Sequence, residues 1–338
     1  MIELARRLVL LVSLACASVP AYAQVRDYRL SHQFAVEIDA RDRAARVFAD
    51  EVKKRVTNIT FSIYGNSTLK ILPAEQLNAL LDGRIEIAIY PLFYGSKQIP
   101  EFSIGLLPGI PADVPSANRL KGTDFDHRLQ AIAEEHGIHI LGWWWLGGGI
   151  VSRNADVGGP VTVKGLRVRG GDDGFDLMLS AAEGRVVSMA STEIAANMRN
   201  GELDVTMTSF ESLVSFRLFE TAKAATVGGY GLWTSFQPLV MSKVAWDRLS
   251  EQDQEAFSQA AEVSDAYFEK SQIEAEKAAI DAFTKAGARV RQMYFDEYAD
   301  WLRLAKDSSW RRYRSLSPQA SSLLNAMMQS LIDSKTKN

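Results

Sequence analysis

The chain has 338 residues, 47% hydrophobic and 23% charged, with 38 Lys plus Arg against 41 Asp plus Glu and a formal net charge of −3. This is the composition of a globular protein with a sizeable core, and the length suits two domains or one large one. No basic block is present to grip nucleic-acid phosphates, and a single cysteine rules out a disulfide framework.

Arg6 and Arg7 precede the apolar run Leu8–Ala15, which is too short to cross the roughly 30 Å core of a bilayer as a helix. Ala21-Tyr22-Ala23 then supplies a small-x-small cleavage pattern. Residues 1–23 therefore read as a Sec secretory signal, which places the mature protein in the periplasm. Cys16 lies inside that signal, with Ser13 a poor match for lipoprotein cleavage, so the mature chain is expected to carry no thiol and no thiolate metal site.

Strands and helices alternate from there. Tyr28–His32 reads as a strand, and Ala40–Val56 carries Ala44, Val47, Phe48 and Val52 at helical spacing. Ile59–Tyr64 alternates as a strand and ends at the turn Gly65-Asn66-Ser67. Pro73 opens a helix that Gly83 closes, and Ile85–Tyr90 follows as a strand. This is α/β architecture with helices packed on sheets. Trp143-Trp144-Trp145 ends a strand before Gly147-Gly148-Gly149, with Trp143 and Trp145 on one face and Trp144 on the other.

Lys164-Gly165-Leu166-Arg167-Val168-Arg169 puts a guanidinium at a strand end, where its rigid bidentate fork suits capture of a carboxylate. Downstream, Glu193–Asp204 repeats the grammar of Glu75–Glu86: an acidic start, a helix, a glycine (Gly201 or Gly83) and an acid-bearing strand. Helix-glycine-strand units recur by chance, but the repeat fits two similar lobes facing each other. Ligands of open α/β sheets sit beyond the carboxyl ends of the strands, which directs Tyr90–Tyr94 and Thr206–Phe210 toward a cleft. Ser250–Asp253 resembles a capping box, and about 250–286 runs without proline as one helix of about 50 Å or as two pieces kinked near Ser271. Ala288–Met293 returns as a strand, Asp296–Ile332 reads as helix, and Asp333–Asn338 as a frayed tail.

Taken in order, Phe48-Ala-Asp-Glu-Val52, Gly83-Arg-Ile-Glu86, Val163–Arg169, Glu193–Asp204 and Val240–Trp246 resemble the periplasmic solute-binding proteins of TRAP transporters, the DctP family. The resemblance implies a two-lobed periplasmic-binding-protein (Venus-flytrap) fold with a long helix spanning both lobes. Lobe I would comprise 24–147 plus about 232–262, and lobe II 148–231 plus about 263–338. It also implies a small organic-acid ligand and a sodium-coupled permease in the membrane as partner, with the receptor a monomer. Carried over by position, Arg169 matches the arginine that holds the ligand carboxylate, Asp172 a polar ligand contact and Thr208 a ligand-binding Asn. Gly149 stands where many members carry a second arginine, which favours a ligand with one carboxylate.

His32 follows the first strand where the family often places a polar cleft residue, although a lone histidine is more often structural. Tyr90, Tyr94, Trp145 and Phe210 are candidate aromatic walls for an aromatic or compact keto acid, against a default of core packing. His127, His136 and His139 lack carboxylate partners at metal-ligand spacing, so no metal and no cofactor are expected. No Gly-x-Ser-x-Gly elbow, dinucleotide fingerprint or P-loop occurs, which argues against a secreted enzyme. A receptor serving a membrane sensor kinase would share every one of these features.

Overall fold

The computed structural model describes residues 25–336; the expected signal, Cys16 and the last two residues lie outside them. Twelve strands are present among the described residues. In chain order they are β1 (Arg26–Ser31), β2 (Ile59–Tyr64), β3 (Ile87–Ile89), β4 (Ile138–Ile140), β5 (Trp145–Ser152), β6 (Arg167–Arg169), β7 (Arg185–Val186), β8 (Val205–Ser209), β9 (Ala224–Gly229), β10 (Thr234–Phe236), β11 (Leu239–Ser242) and β12 (Arg289–Met293). They form two sheets, ordered β2-β1-β3-β11-β4 and β12-β9-β5-β8-β6-β7, with β10 pairing β5. Each sheet carries one lobe. The chain crosses between lobes twice through strands, from β4 into β5 and from β10 into β11.

The helix Ala40–Arg55 is capped by Asp39, whose side chain accepts from the Arg41 amide. It buries Ala44, Phe48 and Val52 against the long helix Glu251–Lys285. That helix is 35 residues long, is capped by Ser250 accepting from the Asp253 amide, and runs unbroken past Ser271. Its first half joins Phe257 to Phe48 and Tyr28, and its second half sends Ala275, Ala279 and Phe283 into the core of the second lobe. At about 1.5 Å per residue it is long enough to span both lobes, as the sequence implied.

The expected helix over 296–332 is divided instead into Phe295–Ala305, a π turn at Lys306–Trp310, Arg311–Arg314 and Pro318–Thr336. Pro318 has no amide hydrogen to continue a helix and opens a new one. The last helix, expected with the second lobe, packs on the helix Asp124–Glu135 of the first. There Ala320, Leu323, Leu324 and Met327 join Leu129 and Ile132 in one apolar core. It also carries Asp333 as helix rather than as frayed tail.

Trp143–Trp145 does not end a strand before a glycine turn: β5 begins at Trp145 and runs through Gly147–Gly149 to Ser152, although the facing of the three indoles is as expected. Trp143 and Trp145 face the first-lobe core against Phe236, while Trp144 stacks on Phe268 of the long helix at 5.0 Å.

Candidate ligand site at the end of strand β6

Strand β6 runs parallel to β8, with Arg169 opposite Thr206. Arg169 is the last residue of its strand, so its side chain leaves the sheet at the carboxyl end, beside the first lobe. Gly171, at φ +119°, makes that approach possible: a Cβ there would lie 3.1 Å from Leu106 of the first lobe and 3.4 Å from Arg169 Nη1.

The guanidinium is almost wholly buried, at 2% exposure. Nε donates to the carbonyl of Met189 at 3.2 Å and Nη1 to that of Met207 at 3.3 Å, both longer than ordinary charged hydrogen bonds. Nη2 has no partner, and no carboxylate pairs with Arg169 among the described residues. A buried cation held only by two carbonyls is an incomplete arrangement, since desolvating a guanidinium costs several kcal/mol. An anion is what would complete it.

Its surroundings carry further unpaired polar atoms. Thr206 Oγ1 is buried without a partner, as is Asp172 Oδ2. Asp172 caps the helix Asp173–Ala181 by accepting from the Phe175 amide at 2.9 Å, a role the sequence reading did not give it. Burial pushes its carboxyl up to about 8, with the nearby Asp176 and Asp173 adding to the rise. It is therefore a largely neutral acid at pH 7, able to donate a proton in a hydrogen bond instead of repelling an anion.

The raised value fixes a pH dependence. Between the ordinary carboxyl value of 3.8 and about 8, the folded protein holds a proton on Asp172 that the unfolded chain releases. The stability this contributes is complete below pH 3.8 and is lost as pH rises through 8. Asp172→Asn keeps the cap and removes the titration, so its melting temperature should fall less than that of the wild type between pH 5 and pH 8. Parallel thermal melts check this; equal slopes would refute it.

The first lobe reaches the site through Gln33 and Tyr94. Gln33 Nε2 donates to Ser191 Oγ at 2.8 Å, and the Ser191 amide donates to the Tyr94 hydroxyl at 3.2 Å. Ser191 lies two residues beyond the carbonyl that holds Arg169. The two lobes thus meet next to the guanidinium in a closed arrangement. Gln33 and Ser191 were missed from the sequence, where nothing but their polarity marked them.

The other expected site residues divide. Thr208 is buried on β8 opposite Gly149, on the same sheet face as Thr206 and Arg169. Phe210 lies over the glycines, with its ring 2.9 Å from where a Cβ of Gly147 would stand and 3.4 Å from that of Gly149. His32 is fully buried: Nε2 bonds Asp42 at 3.0 Å and Nδ1 accepts from the Phe34 amide, so both nitrogens are used inside the first lobe. Tyr90 packs in the first-lobe core, its hydroxyl 2.8 Å from the position of a Cβ on Gly95, and Trp145 packs in that core against Phe236. Strand period set their faces but not which faces the lobe interior would claim. Among the described residues no group of three or more His, Asp or Glu could hold a metal ion.

A family model described as bacterial extracellular solute-binding protein, family 7 (DctP) matches residues 32–315. A solute-binding protein of Albidiferax ferrireducens is 36% identical over 331 residues, covering 94% of this chain and 96% of that one. The C4-dicarboxylate-binding periplasmic protein DctP of Rhodobacter capsulatus is 25% identical over 289 residues, covering 84% and 85%. Among solved structures, a TRAP periplasmic solute-binding protein from Rhodoferax ferrireducens with bound malonate superposes with a TM-score of 0.88 at 33% identity, covering 90% of this chain and 98% of that one.

Proposed function

Because this chain belongs to the bacterial extracellular solute-binding proteins of family 7 and is a TRAP periplasmic solute-binding protein, we propose that it captures a small organic acid by seating one carboxylate on Arg169. The observation that carries the reading is the unpartnered Nη2 of a guanidinium buried between the lobes. Neutral Asp172 and the hydroxyl of Thr206 supply further donors around the same point. The Rhodoferax ferrireducens relative holds malonate, a short dicarboxylate, which fits a confined anion site.

Gly149 favours an acid with one carboxylate, since no second guanidinium stands there. Phe210, resting on the glycine floor, would wall the acid's far end and suits a compact keto or aromatic acid. Export through the Sec route on residues 1–23 and action as a monomer complete the proposal. Closure over the acid, with Gln33 and Tyr94 meeting Ser191, would present the loaded lobes to the membrane permease.

A thermal-shift screen against monocarboxylates, keto acids, aromatic acids and dicarboxylates tests this. At roughly 100 times its dissociation constant a ligand adds about 2.7 kcal/mol of stability. A keto or aromatic monocarboxylate should give the largest shift. A panel in which no acid moves the melting temperature would remove the reading; one in which dicarboxylates dominate would remove the single-carboxylate preference.

A further inference from the structure

The start of the helix Ala40–Arg55 in the first lobe meets the helix Phe210–Ser215 of the second at three consecutive residues. The Ser215 hydroxyl donates to Asp39 Oδ2 at 3.0 Å, the Ala40 amide to Glu211 Oε2 at 3.3 Å and Arg41 Nη2 to Ser212 Oγ at 3.1 Å. The two helices ride on different halves of the long helix: Ser264 donates to the carbonyl of Ala44, whereas Leu213 shares a core with Ala275 and Ala279. Neither helix belongs to a strand crossing between the lobes.

Glu211 is the unbalanced member of this contact. It is 9% exposed, and among the described residues its one hydrogen bond is the long one from Ala40 and no cation pairs with it. Arg41 makes no bond to it, being committed to Asp39, Gln237 and Ser212. A buried carboxyl without a counter-charge favours its neutral form. Burial, with the Asp39 carboxylate adding to it, pushes the Glu211 carboxyl up to about 7 against the pull of Arg41 and Arg43. The other elements packed against its helix bring no buried charge. Strands β5 and β8 carry none, the long helix buries only neutral residues with exposed Tyr267 bonded to Arg43, and exposed Arg217 and Glu220 pair with each other.

We propose that this contact is a proton-dependent latch: closing the lobes takes up one proton at Glu211, and opening them returns the carboxyl to water and releases it. The inference rests on lobe closure as proposed above and not on which acid is bound. In the open form the carboxyl titrates near its ordinary 4.5, so the proton's contribution to closure is complete below pH 4.5 and is lost as pH rises through 7. Between those limits the closed-to-open ratio changes by up to about tenfold per pH unit.

Small-angle X-ray scattering of the full mature chain without ligand, at constant ionic strength, should show a radius of gyration that falls as pH drops from 8 to 5. Glu211→Gln is isosteric with the protonated acid and should hold the compact value throughout. The proposal is overturned by a wild-type radius that ignores pH, by Glu211→Gln remaining extended, or by a pH response kept in Glu211→Gln, which would assign the titration to another buried acid such as Asp172. No organic acid is present in the measurement, so each of these failures leaves the carboxylate seat on Arg169 standing, and a failed acid screen leaves the latch standing.

Discussion

Replacing Arg169 by methionine should weaken organic-acid binding severely and yet leave the ligand-free protein as stable as the wild type or more so. The two halves of this result come from one observation. The guanidinium is 2% exposed, spends its bonds on two distant carbonyls and leaves Nη2 empty. In the empty protein it is a desolvated charge without a counter-charge, and exchange of such groups for apolar ones of similar volume is neutral or stabilising by about 1–4 kcal/mol. With acid bound the same group becomes half of a buried charge pair, and truncating one partner costs about 2–5 kcal/mol, roughly 30-fold to a few thousand-fold in affinity. Calorimetry and thermal melts on the same preparation measure both. Affinity within threefold of the wild type would take Arg169 out of the site, and a large loss of stability without ligand would make it a structural residue.

Arg41→Ala is expected to have the opposite profile, a large loss of stability wherever the ligand stands. Arg41 is 1% exposed and grips fully buried Asp39 through Nε at 2.7 Å and Nη2 at 2.6 Å. Of its other contacts, Nη2 donates to Ser212 Oγ of the second lobe at 3.1 Å, while Nη1 donates to Gln237 Oε1 at 2.7 Å and the guanidinium lies 3.4 Å over the ring of Phe34. The attraction of Arg41 holds the Asp39 carboxyl below its ordinary value despite complete burial. Without Arg41 that carboxylate is stranded, and breaking a buried pair costs about 3–5 kcal/mol. For a chain of this size the melting temperature should drop by roughly 10 °C. Asp39→Asn in the same chain should restore part of the loss by removing the stranded charge. A drop under 2 °C for Arg41→Ala alone would show that solvent reaches Asp39 easily.

Arg41 also marks the boundary of what the sequence discloses. Asp39 and Arg41 stand at the start of a helix, where an acid and a base two residues apart read as a cap and a solvated charge. Their burial depends on Ser212 and Gln237, which are distant in the chain and arrive only through the packing of the lobes. Gln33, Tyr94 and Ser191 meet for the same reason. The strand-end position of Arg169 was legible because it needs only local information, an Arg-Val-Arg run after Gly165 that forms a short strand. The long helix was legible as well, from its cap, its apolar spacing and the absence of proline. His32 misled because the residue that neutralises its candidacy, Asp42, sits on the next helix, and helix spacing alone does not say which of its faces turns toward β1.

The seat of the final helix has a consequence for the order in which this molecule can be assembled. The first lobe opens the described chain at β1, but its apolar interior is completed by Leu323, Leu324 and Met327 near the other end. A domain whose core joins early strands to Leu323, Leu324 and Met327 stays incomplete until those residues have been made. The seating of that one helix therefore sets when the first lobe can close.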